Sequence, residues 1–278
     1  MRAALTVRPL LTSFSGYVFD LDGTIYLGPN LIDGVGEMLS TLRGLKKQIR
    51  FLSNKPLQTR RDYAAKLRAL HVEAADHEVI NSSAVAAQYL ANHYPGARIY
   101  VVGEAPLIGE LLEAGLKVVD DGHGCDLLLL SFDRNFHYVK LHQAMIAALR
   151  GVPLMATNPD VTCPVEDGVI PDCGANIAAL QACSGRKVET ILGKPSPIML
   201  EVILKDLALP PEQVLLVGDR LETDMKMGLD AGMKTALVLS GVTNPDQARE
   251  WRPTPTYILD SAAEITLGLT GQGASTIS

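Results

Sequence analysis

Gly16-Tyr17-Val18-Phe19-Asp20-Leu21-Asp22-Gly23-Thr24 is an apolar run that closes on two aspartates and breaks at glycine. Such a run predicts a buried strand, with Gly23 and Thr24 ending it. Residues two apart on an extended chain project to the same side, so Asp20 and Asp22 face one site if the extension persists through them. Two carboxylates that close repel each other unless a cation or a shared proton intervenes, so the pair asks for a metal or for acid–base work. Taken alone, Asp-x-Asp-Gly is more often a solvated turn, and the rest of the chain has to decide.

Outward from this stretch, Asp33 is placed to cap a helix in which Val35, Met38, Leu39, Leu42 and Leu45 recur at helical spacing. A strand, Ile49 to Leu52, then ends in Ser53-Asn54-Lys55, and a second amphipathic helix is predicted from Pro56. The same rhythm returns late in the chain. Val188 to Leu192 leads into Gly193-Lys194-Pro195-Ser196, where Ser196 caps and Pro197 begins a helix. Val214 to Val217 leads into Gly218-Asp219, followed by a helix to about Ala231, a stop at Gly232 and a strand from Thr235 to Leu239.

Between these halves lies a complete alternation of its own. Ser82 or Ser83 caps an alanine-rich helix through Leu90, and strands follow at 98–102, 117–119, 126–130 and 153–156, with helices at 106–113 and 138–149. Ser53 and Lys194 are 141 positions apart, whereas one strand-helix-strand unit needs only about 30 residues. The expected fold is therefore α/β: a doubly wound, parallel, Rossmann-like core built from 1–81 and 188–278, with an α/β domain, 82–187, inserted into it.

Composition narrows the function classes. The 278 residues carry a net charge of −6 and no long basic run, which disfavours nucleic acid as a partner. Cys125, Cys163, Cys173 and Cys183 show no Cys-x-x-Cys spacing and read as reduced thiols, and the six histidines show no metal-binding spacing. The segment 1–15 is interrupted by Arg8 and Pro9, and no run reaches the roughly 18 apolar residues of a membrane span, so a cytoplasmic protein without a membrane partner is expected.

Four strands of the discontinuous core end in polar residues with complementary chemistry, namely Asp20 with Asp22, Ser53 with Asn54, Lys194, and Asp219. In open parallel sheets ligands bind at the carboxyl ends of the strands, so these ends can meet in one crevice. Magnesium takes hard oxygen ligands, which Asp20, Asp219 and a backbone oxygen near Asp22 would supply. Lys194 would neutralise phosphoryl oxygens, with the Ser53 hydroxyl and nearby amides, Gly23 among them, hydrogen-bonding them. Asn158-Pro159-Asp160 is first a turn signal, and Asp133-Arg134-Asn135 is as readily a solvated loop as a crevice edge.

Asp20-Leu21-Asp22-Gly23-Thr24, Ser53, Gly193-Lys194-Pro195 and Gly218-Asp219-Arg220-x-x-Thr223-Asp224 resemble the four ordered motifs of the haloacid dehalogenase-like phosphohydrolase superfamily. The insert, with Ala156-Thr157-Asn158-Pro159-Asp160 and Gly174-Ala175-Asn176, is similar to the large C2-type cap of its NagD-like, p-nitrophenylphosphatase branch, subfamily IIA. The resemblance implies a magnesium-dependent phosphatase of small phosphate monoesters. Asp20 is the implied nucleophile and Asp22 the acid and base, with Ser53 and Lys194 completing the catalytic set. Asp20, Asp22 (through its carbonyl) and Asp219 are the implied metal ligands, and Asp224 a supporting residue that orients Lys194 or a metal-bound water. Gly23, Ser53, Asn54, Lys55, Asp133, Asn158, Asp160 and Lys194 are the expected substrate contacts, and the cap a candidate homodimer surface. Two places differ from the branch: Lys55 stands where many relatives have a second Asn, and Pro171-Asp172-Cys173 stands before Gly174 where Pro-Gly is usual. A phosphomutase or phosphotransferase on the same core, or a non-catalytic ligand-binding module, are the alternatives.

Overall fold

A computed structural model of the chain describes residues 11–165 and 168–267. The first half runs β1 (Gly16–Asp20), β2 (Tyr26–Leu27), β3 (Asn30–Leu31), α1 (Val35–Gly44), β4 (Gln48–Ser53), α2 (Arg60–Ala69), β5 (Val79–Asn81), α3 (Ser82–His93), β6 (Arg98–Val102), α4 (Ala105–Glu113), β7 (Lys117–Val119), β8 (Leu127–Leu130) and α5 (Tyr138–Leu149). It continues through β9 (Leu154–Ala156), β10 (Thr162–Val165), β11 (Gly168–Pro171), α6 (Cys173–Ser184), β12 (Thr190–Ile191), α7 (Pro197–Leu207), β13 (Val214–Gly218), α8 (Lys226–Asp230), β14 (Lys234–Val238), α9 (Pro245–Glu250) and β15 (Tyr257–Leu259).

The expected α/β architecture is present. One six-stranded sheet has the order β15-β14-β13-β1-β4-β5 and one five-stranded sheet the order β12-β9-β8-β6-β7. The registered pairs β1–β13, β13–β14 and β14–β15 are parallel, as are β6–β7, β6–β8, β8–β9 and β9–β12. The chain divides into two compact units, one drawn from Met1–Arg50, Leu70–Glu73 and Leu207–Ser278, the other from Phe51–Ala69 and Ala74–Asp206. The second is wider than the 82–187 insert expected from sequence, because α2, β5, β12 and α7 group with it.

In the first unit β1 and β13 are buried along their whole length, as strands covered on both faces must be. Val35, Met38, Leu39 and Leu42 form the buried stripe of α1, as their spacing predicts. In the second unit the alternation of side chains is cleanly divided. Tyr100, Val102, Leu128, Leu130, Leu154 and Ala156 pack with Ala144, Ala147 and Ala148 of α5 and Leu180 of α6. Ile99, Val101, Leu127, Leu129 and Met155 pack with Ala86, Ala87 and Leu90 of α3 and Leu107 and Leu111 of α4. Helices thus cover both faces of that sheet, and the four leucines of β8, all buried, contribute about 2 kcal/mol each as an upper bound.

Several local details depart from expectation. Asn81, not Ser82 or Ser83, caps α3: its side chain accepts from Ala84 N at 2.9 Å, leaving both serines inside the helix. Gly34, in the left-handed conformation, precedes α1, and Asp33 makes no cap there. α2 begins at Arg60 because Thr59 and Asp62 exchange hydrogen bonds across its first turn, at 3.0 and 3.2 Å. The antiparallel hairpin of β10 and β11 adds two strands that the sequence pattern does not predict. All four cysteines are free thiols, and no helix among the described residues is long and apolar enough to cross a membrane.

Candidate active site

The first unit assembles the acidic residues. Phe19 pairs with Val217, so Asp20, the last residue of β1, lies level with Gly218 at the end of β13, one position short of Asp219. Asp20, Asp219 and Asp224 each present an oxygen such that all three lie within 4.8 Å of one another, and all three residues are buried. Three carboxylates at that spacing, out of water, are mutually repulsive unless a cation joins them. Hard oxygen donors in this number fit a magnesium ion completed by water or phosphate.

Local backbone geometry explains how the carboxylates converge. Gly23 sits at φ +88°, and a Cβ there would come within 2.5 Å of Asp219 Oδ2. A Cβ on Gly241 would overlap the same carboxylate, lying 2.5 Å from its Cγ and 2.6 Å from its Cβ. Val242 N donates to Asp219 Oδ2 at 2.7 Å, and Ser240 Oγ donates to the Gly23 carbonyl at 2.7 Å, so the 240–242 loop closes on the Asp22–Gly23 turn. Glycines therefore line the acidic cluster because any side chain would displace Asp219.

After β13 the chain does not enter an ordinary α-helix. Leu221–Met225 is a π turn, with Met225 N bonding to the Arg220 carbonyl at 3.1 Å, and α8 follows it. The wider turn brings Asp224 back over the strand end, where its Oδ2 accepts from Arg220 N at 3.2 Å and its side chain lies against Gly218. Asp224, expected in a supporting role, is thus placed with Asp20 and Asp219, while the half-buried Asp22 carboxylate is not one of the three.

The second unit holds the other candidates. Ser53 ends β4 opposite Asn81; its hydroxyl donates to Tyr63 Oη at 3.2 Å and accepts from Lys55 N at 3.1 Å. Lys194, 2% exposed, follows β12, and its N–H bonds to Asn54 Oδ1 at 2.8 Å. The candidate cap residues prove to be tied into the protein. Asp133 accepts from Lys140 Nζ at 2.5 Å and from Asn135 N at 2.9 Å, with its side chain fully buried. Asn158, 0% exposed, donates to Asp160 at 3.1 Å and to Asp172 at 3.0 Å and accepts from Thr157 Oγ1 at 2.9 Å.

Asp172, one of the two departures from the branch pattern, has a local purpose. It is the N-cap of α6, accepting from Cys173 N at 2.5 Å. Burial pushes its carboxyl up, against the lowering effect of the Asn158 and Cys173 hydrogen bonds. A folded-state value above the unfolded one favours the protonated acid in the native protein, so stability falls as pH rises from the ordinary carboxylate value through the raised one. Asp172→Asn keeps an oxygen for both donors without the charge. Its melting temperature is expected to gain on the wild type steadily as pH is raised from 4 towards 7; a difference independent of pH would contradict the assignment.

Comparison with known proteins bears on the family and the fold. Residues 17–117 match the family model described as haloacid dehalogenase-like hydrolase, and residues 191–265 match the HAD-hydrolase-like model. Sugar-phosphatase AraL of Bacillus subtilis strain 168 is 36% identical over 252 residues, which is 91% of this chain and 92% of that protein. The 4-nitrophenylphosphatase structure from Thermotoga maritima superposes with a TM-score of 0.88 at 33% identity, covering 93% of this chain and 98% of that one. NagD from Escherichia coli K-12 gives a TM-score of 0.83 at 31% identity, with 91% and 98% covered.

Proposed function

The chain belongs to the haloacid dehalogenase-like hydrolases and is a phosphatase of their NagD-like, p-nitrophenylphosphatase branch; from there we propose that it is a magnesium-dependent sugar-phosphate phosphatase. The observation that carries the metal is the buried trio of Asp20, Asp219 and Asp224. The sugar-phosphate class follows the 36% identity to AraL, and p-nitrophenyl phosphate serves as a surrogate with a good leaving group.

In the proposed reaction an Asp20 carboxylate oxygen attacks phosphorus, the ester P–O bond breaks, and the leaving alcohol takes a proton from Asp22. Water then attacks the phosphorus of the aspartyl-phosphate and gives a proton to Asp22; the Asp20–phosphorus bond breaks and orthophosphate leaves. Lys194 and the Ser53 hydroxyl hold the phosphoryl oxygens. Asp20, Asp219 and the Asp22 carbonyl, with Asp224 beside them, would hold magnesium, whose positive charge would offset that of the anionic nucleophile and phosphoryl group. Residues 82–187 are assigned the choice of substrate.

The test removes metal with EDTA, restores magnesium, and follows inorganic phosphate and free alcohol from p-nitrophenyl phosphate and a panel of hexose and pentose phosphates. Restored release in equal amounts is the expected result. Full activity without metal would sink the magnesium assignment, and alcohol without matching phosphate would indicate transfer to an acceptor. No release from any sugar phosphate would reject the substrate class.

A further inference from the structure

Both main-chain polar atoms of Lys194 are held by one side chain. Asn54 Oδ1 accepts the Lys194 N–H at 2.8 Å and Asn54 Nδ2 donates to the Lys194 carbonyl at 3.1 Å. The other Nδ2 hydrogen goes to Asp160 Oδ2 at 2.9 Å, an oxygen that also accepts from Asn158 Nδ2 at 3.1 Å. A carboxamide has two N–H donors, and both are committed here, so Asn54 offers none to a substrate. The orientation of the amide is fixed by its partners, since the lysine N–H requires an acceptor and the Asp160 carboxylate a donor.

The surroundings hold this pairing tightly. Asn54 is 8% exposed, its carbonyl accepts from Ser82 Oγ at 2.7 Å, and a Cβ on Gly193 would lie 2.6 Å from Asn54 Oδ1 while overlapping the Thr157 carbonyl. Gly193 N in turn donates to that Thr157 carbonyl at 2.8 Å. A hydrogen-bonded chain therefore runs from the buried Lys194 peptide through Asn54 to the half-buried Asp160 and on to Asn158.

We propose that Asn54, oriented by Asp160, is a positioning residue for Lys194: it fixes the main chain from which the ammonium reaches, rather than contacting substrate. The proposal rests on the role given to Lys194 above. It replaces the substrate contacts expected of Asn54 and Asp160 from sequence with a structural cause for their presence. Loss of the carboxamide leaves a buried N–H and C=O to find new partners, and the lysine moves as they do.

The test is kcat/KM for p-nitrophenyl phosphate with magnesium, in the full chain, for Asn54→Ala, Asp160→Ala, Lys194→Ala, and each of the first two combined with Lys194→Ala. Asn54→Ala is expected to lower kcat/KM by about 10- to 100-fold, the scale of a displacement near 1 Å, and Asp160→Ala by less. Neither is expected to lower it further once Lys194 is removed, because a residue acting only through Lys194 has nothing left to position. The same fold-loss in both backgrounds, or wild-type turnover by Asn54→Ala, overturns the proposal. Should Asn54→Ala not fold, the Asp160→Ala pair decides by the same criterion. Wild-type turnover by Lys194→Ala overturns both this inference and the role of Lys194 on which it rests, whereas additive losses overturn this inference alone.

Discussion

Asp20→Asn is expected to lower kcat for p-nitrophenyl phosphate by roughly 10⁴-fold or more, on the order of 5 kcal/mol of transition-state stabilisation. An amide nitrogen or oxygen at that position cannot form the aspartyl-phosphate on which both half-reactions depend. The loss is expected without loss of the fold. Asp20 is one of three buried carboxylates whose oxygens lie within 4.8 Å, so neutralising it relieves repulsion in the metal-free protein. The melting temperature of the variant in EDTA is therefore expected to match or exceed that of the wild type. Retained turnover would reject Asp20 as nucleophile, and a large drop in metal-free melting temperature would show that the carboxylate has a structural role that repulsion does not describe.

Gly241→Ala is expected to reduce activity by about 100-fold at a fixed, subsaturating magnesium concentration. The added methyl would stand 2.6 Å from Asp219 Cβ, an atom next to the backbone that no rotamer change can move away. Either the 240–242 loop withdraws, breaking the Val242 N–Asp219 bond of 2.7 Å, or Asp219 is forced off its place in the acidic cluster. The cost to stability is about 1–3 kcal/mol, as for other overpacked sites. A magnesium titration followed by phosphate release separates the effects, because displacement of a ligand shifts the half-saturating concentration upward. Gly44→Ala, at the end of α1 with open space where its Cβ would be, is the control and is expected to leave activity unchanged. Unshifted magnesium dependence in Gly241→Ala would dissociate Asp219 from the metal.

Elements whose signal is local are legible in the chain. β1 is a short apolar run ending in acid and β13 one followed at once by acid, and α1 and α5 carry their own helical period, so their existence and order follow from adjacent residues. The acidic cluster is legible in part, since Asp20 closes one strand and Asp219 directly follows another. Asp224 is harder, because its place depends on a π turn that no side-chain period announces. The start of α2 is written in Thr59-x-x-Asp62, a quieter signal than the proline at position 56 from which the helix is expected. Asn54, Asp133, Asn158 and Asp160 are legible in the chain only as polar residues, for a different reason. Their hydrogen-bond partners include Lys194, 140 positions from Asn54, and Asp172, 14 from Asn158, and polar residues near a strand end look alike whether they face a ligand or one another.

The π turn at Leu221–Met225 also makes this part of the chain sensitive to length as well as to side-chain identity. Surface turns commonly absorb a one-residue deletion, and Glu222, being exposed, looks like a dispensable position. Yet the turn holds one more residue than an α-helical turn would, and its removal would let the helix close to ordinary pitch. Each residue of an α-helix advances by about 100°, so the carboxylate after the gap would be carried around the axis and away from β13. The five-residue interval from Asp219 to Asp224 thus acts as a ruler, and an insertion or deletion within it would break the acidic cluster while leaving every aspartate in the chain.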